Sequence, residues 1–252
     1  MLTLALDTTT KAGSVAVMDG ERLLVVLDGD ATRTHGERLP DEMARALAAA
    51  RVAPHDLALL AVATGPGAFT GLRIGMAAMQ GLAMVLGCPV AGVSALDALA
   101  AATLEEADPT VVAVAPWMDA QRGEVFSAVY RLGEHQDEPP RAVSAPLVGP
   151  PAVVLATLPA DIHGNILFVG DGALRYRAEI VRGVGDTALV AAAPAALAPL
   201  VARIGQQLAA RGQAGPPHAL QPLYIRRSDA ELERARKTST PSLPSTPSRE
   251  KT

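Results

Sequence analysis

The stretch Gly65-Pro66-Gly67-Ala68-Phe69-Thr70-Gly71-Leu72-Arg73-Ile74-Gly75 decides how this 252-residue chain is read. It follows an apolar run, Leu57 to Ala63, with the character of a buried strand. It opens a segment, Gly71 to Leu86, with the character of a helix. A glycine turn between a strand and a helix lets backbone approach a phosphate or another chain. Gly65 and Gly67 reach torsions closed to other residues. Pro66 fixes one torsion. Thr70 is the expected N-cap, which leaves the first helical N–H groups facing an anion. The stretch lacks the lysine-ended spacing of a P-loop and does not match the dinucleotide fingerprint. A ligand-free turn has the same composition, so both readings stand.

The helix after the loop carries Gly71, Gly75, Ala78 and Gly81 on one side. Each interior glycine costs roughly 1 kcal/mol relative to alanine. Such a face calls for close approach of another backbone, from this chain's own sheet or from a second subunit. If the neighbour is a second subunit, Gly75→Leu leaves the monomer folded and abolishes association.

Working outward, Leu2 to Leu6 read as a strand ending at Asp7-Thr8-Thr9-Thr10. Ser14 to Met18 and Arg22 to Leu27 read as two more, joined by the hairpin signal Asp19-Gly20. Glu37 to Arg51 read as a helix, with Leu39, Met43, Ala46, Leu47 and Ala50 at helical spacing and Pro40 in the first turn. Pro89 to Val93 form a strand, and Ser94 caps a helix to about Ala102. Three strands followed by alternating helix and strand predict a mixed α/β sheet with an antiparallel edge. Asp108-Pro109 marks a boundary. Beyond it come strands at Val111 to Ala115 and Glu124 to Arg131, a helix or strand at Pro150 to Leu158, a strand at Ile166 to Gly170, and a helix at Pro194 to Arg211. The expected division is a first lobe over 1–107, a second over 108–217, a return to the first over about 218–236, and a disordered Ser/Thr/Pro tail over 237–252.

Composition narrows the function. Hydrophobic residues are 49% and charged residues 19%, enough for a sizeable core, while aromatics are only 3%, so Ala, Leu and Val must fill it. The formal charge is −4, which argues against a strongly basic nucleic-acid surface. One cysteine, Cys88, excludes an internal disulfide and fits a reducing cytoplasm. No signal peptide and no uninterrupted run of roughly 18 apolar residues is present, so no membrane span is expected.

Asp7 ends a buried strand before three threonines. Together with Thr8 and Thr9 it could hold magnesium and phosphate, or simply cap a hairpin. Gly170-Asp171-Gly172 offers a second turn able to meet an anion. His35 precedes the first helix. A metal-binding helix needs a second histidine one turn on, where Leu39 stands. His55, His135, His163 and His218 pair with nothing, so no metal site is expected, and His35 reads as an exposed loop or interface residue. Asp119, Arg122 and Glu124 form a polar turn that binds a ligand or is salt-bridged within itself. Arg226, Arg227, Arg234, Arg236 and Lys237, offset by Asp229, Glu231 and Glu233, read as a solvated helix face. No nucleophile elbow or triad is present.

Four stretches together resemble one family: Leu4 to Thr9; His35-Gly36-Glu37-Arg38-Leu39; Gly65 to Gly75 with Gly81-Leu82-Ala83; and Met118 to Phe126. Val169 to Ala173 and Pro222 to Arg226 support them. The chain is similar to the TsaB (YeaZ) family, a subunit of the machinery that makes threonylcarbamoyladenosine in tRNA. The resemblance implies a fold of the actin, sugar-kinase and Hsp70 type with two related α/β lobes. It implies a non-catalytic partner that supports the catalytic paralogue TsaD, which carries the paired histidines, alongside the ATPase TsaE. It implies pairing through first-lobe helices, with TsaD or with itself, and tRNA gripped mainly by the partner. The interface candidates are His35, Glu37, Leu39, Met43, Gly65, Gly67, Phe69, Thr70, Gly71, Arg73, Gly75 and Ala78. No intrinsic cofactor is implied, with ATP or ADP and magnesium reserved for a complex interface. Gly36 stands where the family more often has serine, and Gln121 where arginine is common. The alternative reading is an ATP-dependent phosphotransferase of the same fold built on Asp7; a third, a metallopeptidase, is disfavoured by the missing second histidine.

Overall fold

The computed structural model describes residues 1–103, 108–133, 139–162 and 164–226. The expected tail from Lys237, the charged residues from Arg227 to Glu233, Arg234 and Arg236, and His135 and His163 lie outside the described residues.

The first lobe opens with β1 (Leu2–Asp7), β2 (Ser14–Asp19) and β3 (Arg22–Asp28), an antiparallel meander whose Asp19-Gly20 turn sits where the hairpin signal puts it. Then follow α1 (His35–Ala50), β4 (Leu59–Gly65), α2 (Phe69–Leu86), β5 (Val90–Ser94) and α3 (Ala95–Ala101). The sheet order is β3-β2-β1-β4-β5, with β4 and β5 parallel to β1. Parallel strands covered on both faces read as continuous apolar runs, and β4 is buried at all seven positions.

The second lobe holds β6 (Val111–Asp119), β7 (Val125–Ser127), β8 (Tyr130–Arg131), β9 (Arg141–Ala142), β10 (Leu147–Gly149), α4 (Pro151–Leu155), β11 (Asn165–Val169), α5 (Asp171–Arg175), α6 (Arg177–Val184) and β12 (Ala188–Ala191). Its main path is β10-β7-β6-β11-β12, antiparallel on one side of β6 and parallel on the other. The order repeats that of the first lobe strand for strand. This duplicated mixed sheet is the actin, sugar-kinase and Hsp70 arrangement.

Three apolar layers hold the lobes. Leu4, Leu6, Leu39, Leu60 and Met79 fill the layer under α1 and α2. Trp117, Phe168 and Ile180 fill the layer under the second lobe's helices. The third layer runs between the lobes, from Ala5 and Ala61 through α3 to Val114, Met118 and Tyr130.

The structure corrects several expectations. The last long helix, α7 (Ala198–Ala210), belongs to the first lobe: it packs on β1, β2, β4 and β5. Its Gly205 makes the approach possible, because a Cβ there would sit 2.7 Å from that of Ala61. The return to the first lobe therefore begins near Ala198 rather than near 218. The single strand expected over Glu124 to Arg131 is divided, with β7 joining β10 and β8 joining β9. Helix α2 starts at Phe69 with Ala68 as its cap, so Thr70 lies inside the first turn and caps nothing. The cap that matters is Thr34 of α1. Its backbone N–H and hydroxyl both donate to Glu37, at 2.8 and 2.7 Å, and these bonds hold the Glu37 carboxyl below its usual pKa. Finally, α2 is long and apolar enough to cross a membrane by length and composition. Here its Leu72, Met76, Met79 and Ala83 are buried, and the helix packs on β4.

Candidate functional site: the interlobe cleft

A cleft of about 970 Å³ separates the lobes. Its lining includes the β1–β2 loop (Thr9 to Lys11), the loop before α1 (Thr32 to His35), the turn Pro66 to Leu72, the lip Met118 to Arg122 with Asp171, and Leu223, Tyr224 and Arg226 near the end of the described chain. A smaller recess of about 380 Å³ shares Thr10, Lys11, Met118 and Asp171 with it and is walled by Leu99 and Leu197.

The β1–β2 loop is held on every side by backbone placed close to it. A Cβ on Gly71 or Gly75 would overlap Thr8, one on Gly67 would sit 2.6 Å from the Thr9 Cβ, and one on Gly13 would overlap the Asp7 carbonyl. The small face of α2 is thus filled by this chain's own loop. Gly71 and Gly75 are buried and cannot be partner contacts, and the expectation that Gly75→Leu spares the monomer is corrected. Gly81, with nothing within 4 Å, is the glycine of that set left open.

From α1 the loop is pinned by a buried polar cluster. His35 is 8% exposed. Its Nε2 lies 3.0 Å from the Thr10 carbonyl and its Nδ1 lies 2.8 Å from Arg38 Nη2. A guanidinium can only donate, so Nδ1 accepts and Nε2 carries the proton. His35 is therefore a buried brace, not the exposed residue expected. Arg38, 2% exposed, donates to both Glu42 oxygens at 2.7 and 2.6 Å and to the carbonyls of Lys11 and Ala12. In the sequence Arg38 stands only as part of the His35–Leu39 stretch, with no role of its own, and Glu42 is not singled out. Their four-residue spacing is visible there, but the same spacing on a solvated face, as in Asp41 and Arg45, is indistinguishable.

Asp7 and Thr8 lie behind the cleft wall, and Thr9 reaches it. Asp7 Oδ1 accepts from the Thr9 N–H at 2.9 Å and the Thr9 hydroxyl at 2.6 Å. Burial pushes the Asp7 carboxyl above its usual pKa, and the Thr9 bonds work against that rise. The Thr8 hydroxyl is buried without a hydrogen-bond partner.

Across the cleft, Asp119 is tied by Arg175 at 2.8 Å and by the Gln121 N–H at 3.0 Å. Asp171 Oδ1 accepts from the N–H groups of Asp119 and Gly172. Gly170 and Gly172 press against the Trp117 carbonyl, so the Gly170–Gly172 turn is packing around the end of β6. Gln121, Arg122 and Gly123 all have positive φ, at 61°, 58° and 79°, and form an exposed lip. In this turn Glu124 pairs with Arg226, which comes from the far end of the chain. Arg226 is accordingly no solvated helix residue.

Of the interface candidates, His35, Leu39, Gly65, Gly71 and Gly75 are buried within the chain. Met43, Gly67 and Ala78 are half-buried, and Glu37, Phe69, Thr70 and Arg73 are exposed. Phe69 stacks on Tyr224 with ring centroids 5.0 Å apart, and Arg73 lies 3.9 Å from the Phe69 centroid.

The family model for TsaD, tRNA N6-adenosine threonylcarbamoyltransferase, matches residues 26–231. An uncharacterized protein of Mycobacterium tuberculosis is 34% identical over 231 residues, which is 90% of this chain and 93% of that protein. The tRNA threonylcarbamoyladenosine biosynthesis protein TsaB of Escherichia coli is 35% identical over 135 residues, 54% of this chain and 57% of that protein. The solved structure of YeaZ from Pseudomonas aeruginosa superposes with a TM-score of 0.74 at 30% identity, covering 88% of this chain and 99% of that one.

Proposed function

We propose that this chain, which belongs to the TsaB (YeaZ) family and so to tRNA threonylcarbamoyladenosine biosynthesis, is the non-catalytic partner of TsaD. The reaction it supports transfers a threonylcarbamoyl group to N6 of adenosine 37 in tRNAs that read ANN codons. The observation that carries this reading is the fate of His35. Both its ring nitrogens are spent on Thr10 and Arg38, and the residue one turn further, Leu39, is 1% exposed in the core. A helix so arranged braces a loop and presents no paired ligands outward. That leaves the metallopeptidase reading without support. The phosphotransferase reading gains none from Asp7, whose Oδ1 is occupied and which stands behind the cleft wall. We place no resident nucleotide or magnesium on that residue.

The partner surface in this reading is the outer side of α1 and α2. Glu37 is exposed there, Met43 and Ala78 are half-buried, and at the end of α2 Met84 and Val85 are 75% and 83% exposed beside the open Gly81. Exposed apolar residues clustered around a small one suit close helix–helix docking. A second copy of the chain, or TsaD, fills that face. TsaE and tRNA join through the complex, and the cytoplasm is the setting.

The test is threonylcarbamoyl transfer in a reconstituted mixture with TsaD, TsaE and the adenylate-forming enzyme held constant. Transfer is expected to require this chain and to survive Asp7→Asn. Val85→Asp is expected to keep the fold and to weaken association with TsaD at least tenfold, since it buries a charge in an apolar contact. Full transfer without the chain overturns the proposal.

A further inference from the structure

The segment after α7 crosses the first lobe and ends on the second. Gly215 exchanges backbone hydrogen bonds with Val90, at 2.9 and 3.0 Å. Gln80 Nε2 donates to the Pro217 carbonyl at 2.9 Å, and the Leu223 N–H donates to the Thr64 carbonyl at 2.8 Å. Two glycines leave room for this strap: a Cβ on Gly92 would sit 2.9 Å from Leu220, and one on Gly65 would sit 3.0 Å from the Leu223 carbonyl. Gly65, the opening residue of the stretch that decides the fold, thus makes way for the chain's own far end. Next, Tyr224 stacks on Phe69 and accepts a hydrogen bond from Arg73 Nε at 2.9 Å.

Two residues later the strap changes lobes. Arg226 Nη1 donates to the Ala120 carbonyl at 2.7 Å, Nη2 pairs with Glu124, and the guanidinium lies 5.6 Å from the Phe126 ring centroid. All three partners belong to the lip and the strand behind it. Leu223, Tyr224 and Arg226 also line the cleft itself. Elsewhere the lobes are joined through the apolar layer around α3 and α7, with Tyr130 of the second lobe donating to Asp97 of α3 at 2.5 Å. That layer walls the inner recess through Leu99 and Leu197. One side of the cleft is therefore a packed core, and on the other Arg226 reaches from the strap to the lip.

We propose that the strap is a latch on the interlobe cleft: it is fastened along the first lobe, and its Arg226 holds the Asp119–Glu124 lip, so that widening the mouth requires release of that contact. The contact is built to release. The Arg226 and Glu124 side chains are 24% and 32% exposed, an environment in which ion pairs hold a geometry without locking it. The lip it grips is three consecutive left-handed residues, a backbone that persists where its surroundings hold it. The inference rests on this geometry and not on the role in tRNA modification.

The test uses the full chain with nitroxide labels at Ala48→Cys in α1 and Val153→Cys in α4, in a Cys88→Ser background, and compares interlobe distance distributions. Amide exchange of residues 119–124 is followed in parallel. Arg226→Gln and Glu124→Gln are each expected to broaden and lengthen the distribution and to speed lip exchange about tenfold, the loss of one charge-assisted bond set. The charge swap Arg226→Glu with Glu124→Arg is expected to restore much of the native distribution. Distributions and exchange unchanged in both single variants overturn the latch. So does an opening that appears only with Tyr224→Ala, which assigns the closure to the aromatic stack instead. Glu124→Gln, on the half-exposed lip, keeps the test open if the arginine variant fails to fold.

Discussion

Asp7 and Asp119 occupy the same place in their lobes. Each ends the central strand of its sheet and begins a loop returning as an antiparallel neighbour: Asp7 stands opposite Ser14 and Asp119 opposite Val125. The two loops are held by opposite means. The first is encased by Gly13, Gly67, Gly71 and Gly75 and clamped by His35, Arg38 and Glu42, all of them buried or nearly so. The second is exposed at Gln121, Arg122 and Gly123, and its ties come from Arg175 and Arg226, residues that remain in contact with solvent. A duplicated architecture has thus been divided into a fixed wall and an adjustable lip. The difference lies in what surrounds the loops, since the strand order is shared.

This contrast predicts large effects on the first loop and small ones on the second. The largest is expected from Gly75→Leu. The new side chain would have to displace Thr8 and the loop backbone, and overpacking against backbone exceeds the roughly 1–3 kcal/mol of ordinary core insertions. Urea denaturation should show a loss above about 3 kcal/mol or no folded protein. Gly81→Ala on the same helix should stabilise by about 0.5–1 kcal/mol, because the site is open and alanine is the better helix former. Equal effects at the two positions would erase the distinction between packed and open ends of α2.

Next comes the clamp. Arg38→Met leaves Glu42 as a buried charge without its partner, a loss of about 3–5 kcal/mol. Arg38→Met with Glu42→Leu should recover much of it, since the unpaired charge is then gone. A double variant no better than the single would show that the donation to the Lys11 and Ala12 carbonyls, not the ion pair, is what holds the loop.

These residues mark where the sequence stopped being legible. The five strands of the first lobe, the Asp19-Gly20 hairpin and the helices α1, α2 and α3 follow from local periodicity and turn chemistry, which are properties of short windows. What the glycines of α2 face is not such a property. Gly71 and Gly75 meet a loop some sixty residues earlier, and no window contains both. The same holds for α7, amphipathic in the sequence but free to cover either lobe until Gly205 meets Ala61. Arg226 was legible only as one cation among several, because its partners Ala120 and Glu124 lie a hundred residues back.

A third expectation is pH dependence from Asp7. Its carboxyl binds protons more tightly folded than unfolded, because burial raises its pKa from 3.8. The native state therefore holds more protons than the unfolded state between that value and the raised one. The stability contribution of this group falls as pH rises through that window. Asp7→Asn removes the dependence while an amide oxygen still accepts from Thr9. Urea midpoints measured from pH 4 upward should show the variant gaining on the native chain as pH rises. A constant difference would mean that the carboxylate is fully compensated in the fold.

The smallest effect is expected at the equivalent aspartate of the second lobe. Asp119 is engaged by Arg175 and by Gln121, yet the Arg175 side chain is 55% exposed. Solvent competes for such a pair and salt screens it, so Arg175→Ala should cost less than about 1 kcal/mol and less still at high salt. The Asp119 carboxylate keeps its Gln121 bonds in that variant, and the lip keeps Arg226. The lip should therefore persist with little change in stability and a modest rise in amide exchange. If Arg175→Ala instead costs as much as Arg38→Met, the second loop is as rigidly held as the first. The division between wall and lip would then lie in exposure alone, without a difference in stiffness.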